Sequence, residues 1–280
     1  MNIKITSDST CDLSNELLSA NNISLIRLIV TKNGEEFLDN ATITPADIFA
    51  HVAAGGELCK TAALGVGAYQ DEFAKYAGDY DAVIHISLGS GFSSSYQNAC
   101  LAADEFENVR VVDSQNLSTG HGLVVLKACE LAKTCSDLDT IINTLNAYTE
   151  KVEASFVVEN LTYLVKGGRC SSAAALGANL LNLKPCIEVK NGKMSVGKKH
   201  RGNFEKCLAN YVKDRLTNRD DLDCGTIFIT HTPVSDSALN SVIESVAELG
   251  KFQNTYETQA GCTISCHCGP GTLGILFVRK

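Results

Sequence analysis

The chain has 280 residues, of which 45% are apolar, and a formal net charge of −8. This length and apolar content predict a core of substantial size, in one large domain or two smaller ones. The 24 Lys and Arg residues are spread along the sequence without forming a basic stripe, which argues against nucleic acid as a partner. The chain becomes polar before a signal-length apolar segment, and no later run approaches the roughly 20 apolar residues that span a bilayer. We therefore expect a cytoplasmic protein without an integral membrane segment.

In the first half of the chain, strand and helix patterns alternate. The predicted strands cover residues 3–5, 23–30, 82–88 and 109–113, and the predicted helices begin at Thr44 and then cover about 96–103, 118–133 and 138–151. Thr44 is a natural N-cap, because its hydroxyl can accept from free N–H groups of the first turn, and Pro45 suits the first helical position. The alternation predicts parallel βαβ units with helices on both faces of the sheet.

After residue 150 the pattern changes. Predicted strands cover 155–158, 184–190, 193–196, 226–230, 253–258 and 273–278, predicted helices cover 160–166, 203–216 and 235–249, and 167–182 is a segment of small residues. Asn191-Gly192 between two strands is a strong hairpin signal and introduces antiparallel pairing. We predict an α/β protein with a parallel-sheet N-terminal domain, residues 1–150, and a smaller α+β C-terminal domain with a mixed sheet, residues 151–280.

Four separated segments carry a resemblance to a known family. They are Ile5–Leu13 with its Asp-Ser-Thr turn, Tyr163–Arg169 with a Gly-Gly-Arg sequence, Leu180–Pro185, and His267–Gly274 with a His-x-Gly-Pro-Gly sequence. In this order, and together with Val111–Ser114 and the glycines around His121, they resemble the DegV family. Its characterised members are bacterial fatty-acid-binding proteins that present an acyl chain to a fatty-acid kinase.

The resemblance implies a ligand and a site. The ligand is a long-chain fatty acid in an apolar tunnel between or within the domains. The resemblance assigns its carboxylate to Thr61, Ser93 and His267, with Ser94, Gly269 and Thr272 in support. The loop after Thr61 departs from the family pattern at Ala62 and Ala63, so the preferred chain length and unsaturation stay open.

The resemblance also implies a role and a partner. The chain is expected to be a carrier for phospholipid synthesis, without turnover or a cofactor of its own. A separate fatty-acid kinase would form the acyl phosphate, with Arg169 and Arg201 helping it to dock. Transient contact with a membrane surface is compatible with this role.

These residue types suit a fatty acid on physical grounds. Each buried methylene contributes about 0.8 kcal/mol, so a sixteen-carbon tail offers on the order of 10 kcal/mol before ordering costs. The carboxylate loses hydration and needs donors. Ser93 lies at a strand-loop-helix junction with free N–H groups, Thr61 adds a hydroxyl, and His267 adds a charge-assisted hydrogen bond if it is protonated.

Several alternatives remain open at this stage. An acyl hydrolase, with Ser93 as nucleophile and His267 as base, predicts a third group that orients the histidine; the chain has no G-x-S-x-G sequence. Asp8, Ser9 and Thr10 form either a supporting turn or direct ligand contacts.

The twelve cysteines are scattered, and most are interpreted as small buried hydrophobes. Cys262, Cys266 and Cys268 cluster around His267 but lack a C-x-x-C or a second half-site, so we predict no metal there. A structural or redox role for the three thiols stays open.

Overall fold

The computed structural model describes residues 1–175 and 183–280. Within these residues the strands are Ile3–Asp8 (β1), Ser24–Ile26 (β2), Ile29–Lys32 (β3), Glu35–Leu38 (β4), Lys60–Ala62 (β5), Ala82–Ser87 (β6), Val109–Asp113 (β7), Val152–Val158 (β8), Leu183–Lys190 (β9), Lys193–Arg201 (β10), Leu222–His231 (β11), Asn254–Gln259 (β12) and Thr272–Arg279 (β13). The α-helices are Asn15–Ala20 (α1), Pro45–Ala53 (α2), Val66–Ala77 (α3), Ser95–Ala103 (α4), Ser118–Thr134 (α5), Leu138–Thr149 (α6), Thr162–Gly167 (α7), Ser171–Ala174 (α8), Phe204–Leu216 (α9), Asp236–Gly250 (α10) and Cys262–Cys268 (α11).

The N-terminal half contains a four-stranded parallel sheet in the order β2-β1-β6-β7. Its side chains alternate between two apolar clusters: Val83 packs with α3 and α4, whereas Ile84 and Ile86 pack with α5 on the other face. A period of two is what a sheet covered by helices on both sides requires. The predicted parallel sheet with helices on both faces is confirmed.

The C-terminal half contains a six-stranded mixed sheet in the order β10-β9-β8-β13-β11-β12. The predicted hairpin at Asn191-Gly192 joins β9 to β10, and both turn residues have positive φ, 51° and 69°. One face of the sheet packs against α9 and α10, and the other faces α5. The mixed sheet is therefore confirmed, and α5 lies between the two sheets.

The largest apolar cluster draws members from both halves of the chain, among them Leu123 of α5, Phe156 of β8 and Phe228 of β11. The strands up to β7 belong to the four-stranded and three-stranded sheets, and the strands from β8 onward belong to the mixed sheet. A domain boundary near residue 150 stays a prediction.

Several elements differ from the sequence-based expectation. The strand predicted at 23–30 is two strands, β2 in the parallel sheet and β3 in a three-stranded antiparallel sheet with β4 and β5. Helices α1, α3, α8 and α11 and strands β4 and β5 are absent from the sequence-based prediction. The small-residue segment 167–182 is described only as far as residue 175. Residues 180–182 of the Leu180–Pro185 motif also lie outside the described residues.

No helix among the described residues is both long and apolar enough to cross a lipid bilayer.

Candidate functional site

A narrow cavity lies where β5, the loop before α4, and α11 meet. Its volume is about 50 Å³, and we call it the outer cavity. Its lining consists mainly of apolar side chains with a few polar groups, namely Leu28, Thr61, Ala62, Ala63, Leu88, Phe92, Ser93, Leu117, Arg169, Met194, Thr263, Ile264, His267 and Cys268. Thr61, Ser93 and His267, distant in sequence, therefore face one space.

Thr61 and His267 form a direct hydrogen bond. The Thr61 Oγ1 atom of β5 lies 2.8 Å from the His267 Nε2 atom of α11, across 206 positions of sequence. A hydroxyl and a neutral imidazole each carry one hydrogen-bond donor, so the pair can offer hydrogen bonds to an anion beside it. This pair is the best-defined polar group of the outer cavity.

The His267 ring packs against the Gly-Gly-Arg segment. A Cβ on Gly167 would lie 2.5 Å from the His267 Nδ1 atom, so the close approach requires glycine at that position. The Nδ1 atom is buried and has no hydrogen-bond partner among the described residues. Burial, and secondarily the charge of Arg169, lower the pKa of His267 to about 4.

His267 is therefore neutral near pH 7 in the ligand-free chain. The charge-assisted hydrogen bond considered from the sequence arises only if a bound anion raises this pKa.

Ser93 lies at the start of α4. Its Oγ atom is 2.9 Å from the Ser95 Oγ atom and accepts from the Ser95 N–H at 3.2 Å. Ser94 is the N-cap residue, is exposed, and makes no side-chain capping bond. Ser93 thus both organises the helix start and faces the outer cavity, while the Ser94 side chain is turned to solvent.

Two buried carboxylates hold the N-terminal end of α11, and sequence reasoning missed both. Asp39 accepts from the Cys262 N–H at 2.9 Å and the Thr263 hydroxyl at 2.7 Å. Asp12 accepts from the Gly261 N–H at 2.9 Å. Because the free N–H groups at a helix start need acceptors, these two side chains fix the helix that carries His267.

The C-terminal end of α11 is held by Gly269 and Thr272. Gly269 has φ +74°, and a Cβ there would lie 2.5 Å from the Tyr163 ring. The Thr272 hydroxyl donates to the carbonyl oxygens of Cys268 and Gly269, at 3.1 and 3.2 Å. Gly269 and Thr272, two of the three residues assigned a supporting role, therefore contact the end of the helix that carries His267.

The two arginines lie in different places. Arg169 is exposed at the outer cavity, where its Nη1 atom donates to the Gly167 carbonyl oxygen at 2.7 Å. Arg201 is exposed at the far end of β10, seven residues along the chain from the lining residue Met194. Among the described residues, neither guanidinium is within ion-pair distance of a carboxylate.

A second, smaller cavity continues inward from the first. Its volume is about 30 Å³, and we call it the inner cavity. Leu117, Ile264 and Cys268 line both cavities. The inner cavity lies between α5 and the mixed sheet, with Ala154, Phe156 and Leu276 among its lining residues. Together the two cavities mark a largely apolar path from Thr61 and His267 into the protein.

The Asp-Ser-Thr turn supports the fold around the site. Asp8 is fully buried and accepts from the Tyr69 hydroxyl, the Ser87 hydroxyl and the Leu88 N–H, at 2.7, 2.9 and 2.8 Å. Ser9 donates to Asp39 at 2.8 Å. None of Asp8, Ser9 and Thr10 lines the outer or the inner cavity. Of the two roles left open for this turn, the geometry favours the supporting one.

The three clustered cysteines have separate surroundings. The Cys262 thiol donates to the Asn40 side-chain oxygen at 3.1 Å, Cys266 lies in a small apolar cluster with Cys59, and Cys268 lines both cavities. Burial raises the pKa of the Cys262 and Cys268 thiols to about 12. In the described part of the chain, no group of three or more His, Cys, Asp or Glu residues is arranged to hold a metal ion.

The geometry gives the hydrolase alternative no support. Ser93 bonds to Ser95 rather than to His267, whereas a catalytic serine requires a base within hydrogen-bond distance and a third group that orients this base. The His267 Nδ1 atom, which such a group would contact, has no hydrogen-bond partner within residues 1–175 and 183–280. The arrangement is suited to holding an anion beside an apolar path.

Comparisons with known proteins give one consistent family. Residues 2–280 match the sequence model of a family described as "Uncharacterised protein, DegV family". A DegV domain-containing protein of Clostridium acetobutylicum is 31% identical over 282 residues, covering 99% of this chain and 99% of the relative.

Two solved structures share the fold over the full length. A DegV family protein of Thermus thermophilus, described by its fatty acid binding, is 27% identical with a TM-score of 0.90, covering 100% of both chains. DegV of Bacillus subtilis, described as a fatty acid binding protein, is 28% identical with a TM-score of 0.86, also over 100% of both chains.

Proposed function

This chain belongs to the DegV family, and we propose that it binds a long-chain fatty acid with the carboxylate beside Thr61, Ser93 and His267. The observation that carries the proposal is the Thr61–His267 hydrogen bond at the start of an apolar path. Hydroxyl groups and a neutral imidazole can all donate to a carboxylate, so the head group finds partners without a buried positive charge.

The acyl tail supplies most of the binding free energy. At about 0.8 kcal/mol for each buried methylene, a sixteen-carbon tail far exceeds the contribution of any one hydrogen bond. Cavities of about 50 and 30 Å³ are too narrow for such a tail. Binding therefore requires Leu117, Ile264 and Cys268 to move apart at the junction of the two cavities.

Thr61→Val and Ser93→Ala are each expected to weaken fatty-acid binding by about 5- to 150-fold. Each change removes a donor to the carboxylate, and an acceptor left without its hydrogen bond costs roughly 1–3 kcal/mol of binding free energy. The measurement is a fluorescence titration with a long-chain fatty acid. Valine keeps the shape of Thr61, so the change isolates the hydroxyl.

Ser90→Ala is the matched control for Ser93→Ala. Ser90 is an exposed serine of the same loop, and its hydroxyl donates to Asp113 instead of facing the outer cavity. Wild-type affinity in both Thr61→Val and Ser93→Ala would mean that the head group lies elsewhere.

We further propose that the protein presents the bound carboxylate to a fatty-acid kinase in the cytoplasm, where ATP and Mg²⁺ are supplied to the kinase. Arg169 supports this role, because it is exposed at the outer cavity and has no carboxylate partner among the described residues. A guanidinium in that position can meet an acidic partner surface or the forming phosphate. Arg201 is a second candidate contact for the kinase, more distant along β10.

Arg169→Ala is expected to lower acyl-phosphate formation by about tenfold, through loss of a charge-assisted contact, while fatty-acid affinity stays close to wild type. The assay combines a DegV-dependent fatty-acid kinase, ATP and the loaded protein, and measures acyl phosphate. Arg110→Ala is the control, because Arg110 contacts backbone carbonyls next to β7, outside the lining of both cavities. Equal rates for wild type and for Arg169→Ala and Arg201→Ala would contradict docking through these arginines.

A further inference from the structure

The inner cavity ends against a short chain of hydrogen-bonded hydroxyl groups. The Thr230 Oγ1 atom of β11 lies 2.6 Å from the Thr119 Oγ1 atom of α5 and 2.9 Å from the Thr258 Oγ1 atom of β12. All three threonines are buried. Beside them, the Ser118 hydroxyl of α5 donates to Asp12 at 2.6 Å. We call these five residues the end wall.

A different space begins directly behind the end wall. It is a wide crevice of about 550 Å³, whose lining mixes the charged residues Asp12, Glu16, Arg27 and Glu257 with polar side chains and with Leu13, Leu18 and Leu25. Thr230 and Ser118 line the inner cavity, whereas their partners Thr258 and Asp12 line the crevice. Each of these two hydrogen bonds therefore separates the apolar path from a wide crevice with charged, polar and apolar lining residues.

The two sides of the wall differ in what they offer an acyl chain. The hydroxyls are engaged with one another, so the inner cavity presents them as the closed end of a largely apolar path. Beyond the wall the crevice is wide and partly polar, so a methyl group there would bury less apolar area and gain less than in the path.

We propose that the end wall fixes the longest acyl chain that the protein binds. The proposal rests on the fatty-acid binding proposed above. Each further methylene buried in an apolar path raises affinity about fourfold. Pushing through the wall instead leaves buried hydroxyls unpaired, which lowers affinity by roughly 5- to 150-fold for each one. Affinity should therefore rise with chain length until the tail fills the inner cavity, and then fall sharply.

The test opens the wall and measures chain-length preference. Thr230→Ala/Thr258→Ala removes the hydroxyl and methyl groups of one of the two hydrogen-bonded pairs that lie between the inner cavity and the crevice. Fatty acids of about 12 to 24 carbons are titrated against wild type and variant, and the limit is the length beyond which affinity falls. We expect the limit to move up by about two to four carbons in the variant, with a gain of about tenfold for the first chain beyond the wild-type limit.

Two further variants separate the wall from general effects on the strands. Thr230→Ser/Thr258→Ser keeps both hydroxyls, so the limit should stay within one added methylene of wild type. Thr226→Ala/Thr255→Ala changes threonines on the same two strands, outside the lining of the inner cavity, and should leave the limit unchanged. If the double alanine variant does not fold, Thr258→Ala alone carries the same expectation.

The outcomes distinguish this proposal from the proposed function. If no chain length binds to wild type, fatty-acid binding itself is wrong. If wild type binds with a defined limit and that limit is the same in Thr258→Ala or in the double alanine variant, the end wall is overturned while fatty-acid binding stands.

Discussion

Replacing Asp39 with alanine is expected to lower the free energy of unfolding by about 3–5 kcal/mol, because three buried hydrogen bonds are lost at once. Asp39 has no solvent exposure and accepts from Ser9, from the Cys262 N–H and from the Thr263 hydroxyl. With the carboxylate gone, these donors remain buried without an acceptor. Urea unfolding at neutral pH measures the change.

The same substitution is expected to weaken fatty-acid binding about tenfold, since α11 would no longer hold His267 against Thr61. Asp137→Ala is the matched control, because Asp137 also caps a helix, α6, but is exposed and distant in the chain from the site. The binding loss should be smaller in a His267→Ala background, where the positioned group is already absent. This role for Asp39 would be contradicted if Asp39→Ala had the stability of wild type. It would also be contradicted if Asp137→Ala lost as much affinity as Asp39→Ala.

The second large effect concerns Asp12 and pH. Burial raises the pKa of this carboxyl to about 8, nearby Asp39 adds to the increase, and the hydrogen bonds from Ser118 and Gly261 oppose it. In an unfolded chain an aspartate ionises near pH 4. Folding therefore takes up a proton between about pH 4 and pH 8, so the stability contributed by this group is full below pH 4 and is lost as the pH rises to about 8.

The expected size follows from the slope of about 1.4 kcal/mol per pH unit for one proton. Between pH 5 and pH 8, wild type should lose about 3–4 kcal/mol more stability than Asp12→Asn, which has no group to ionise. Urea unfolding of both proteins at several pH values gives the comparison. Parallel stability curves for the two proteins would show that Asp12 does not titrate in this range.

Much of the fold follows from local patterns. The N-cap at Thr44 and the Asn191-Gly192 hairpin are encoded in a few adjacent residues, and both form as predicted; the structure adds Asp47 as the capping-box partner of Thr44. The parallel sheet follows from the alternation of strands and helices. The sequence motifs also identified the family, because each of the four ordered segments is recognised from adjacent residues alone, without its tertiary contacts.

Helix α11 is an element that local sequence patterns do not predict. Its seven residues include three cysteines, a threonine and an isoleucine, which are poor or middling helix formers, so propensity alone does not favour a helix. The helix is stabilised by Asp39 and Asp12, which lie more than 220 positions earlier in the sequence. Glycines at 261 and 269 bracket the segment and were the one local signal of its ends.

The sequence motifs name residues that the structure brings to one place, but not how they are arranged, and their role in holding a carboxylate stays a proposal. Thr61, Ser93 and His267 were assigned from motifs, and all three line the outer cavity. The Thr61–His267 bond depends on tertiary contacts, and the neutral state of His267 depends on burial, with Gly167 close to its ring, and secondarily on the charge of Arg169. Burial of this kind results from tertiary packing, which a sequence motif does not specify.

The central claim is that the apolar path holds a fatty acid, and the most direct test is to identify what the purified protein carries. Protein expressed in bacteria is purified without detergent, denatured and extracted with organic solvent, and the extract is examined by mass spectrometry. We predict a stoichiometric amount of long-chain fatty acid, reduced in Thr61→Val. Repeated absence of fatty acid from folded protein, together with no binding when fatty acid is added back, would contradict the account.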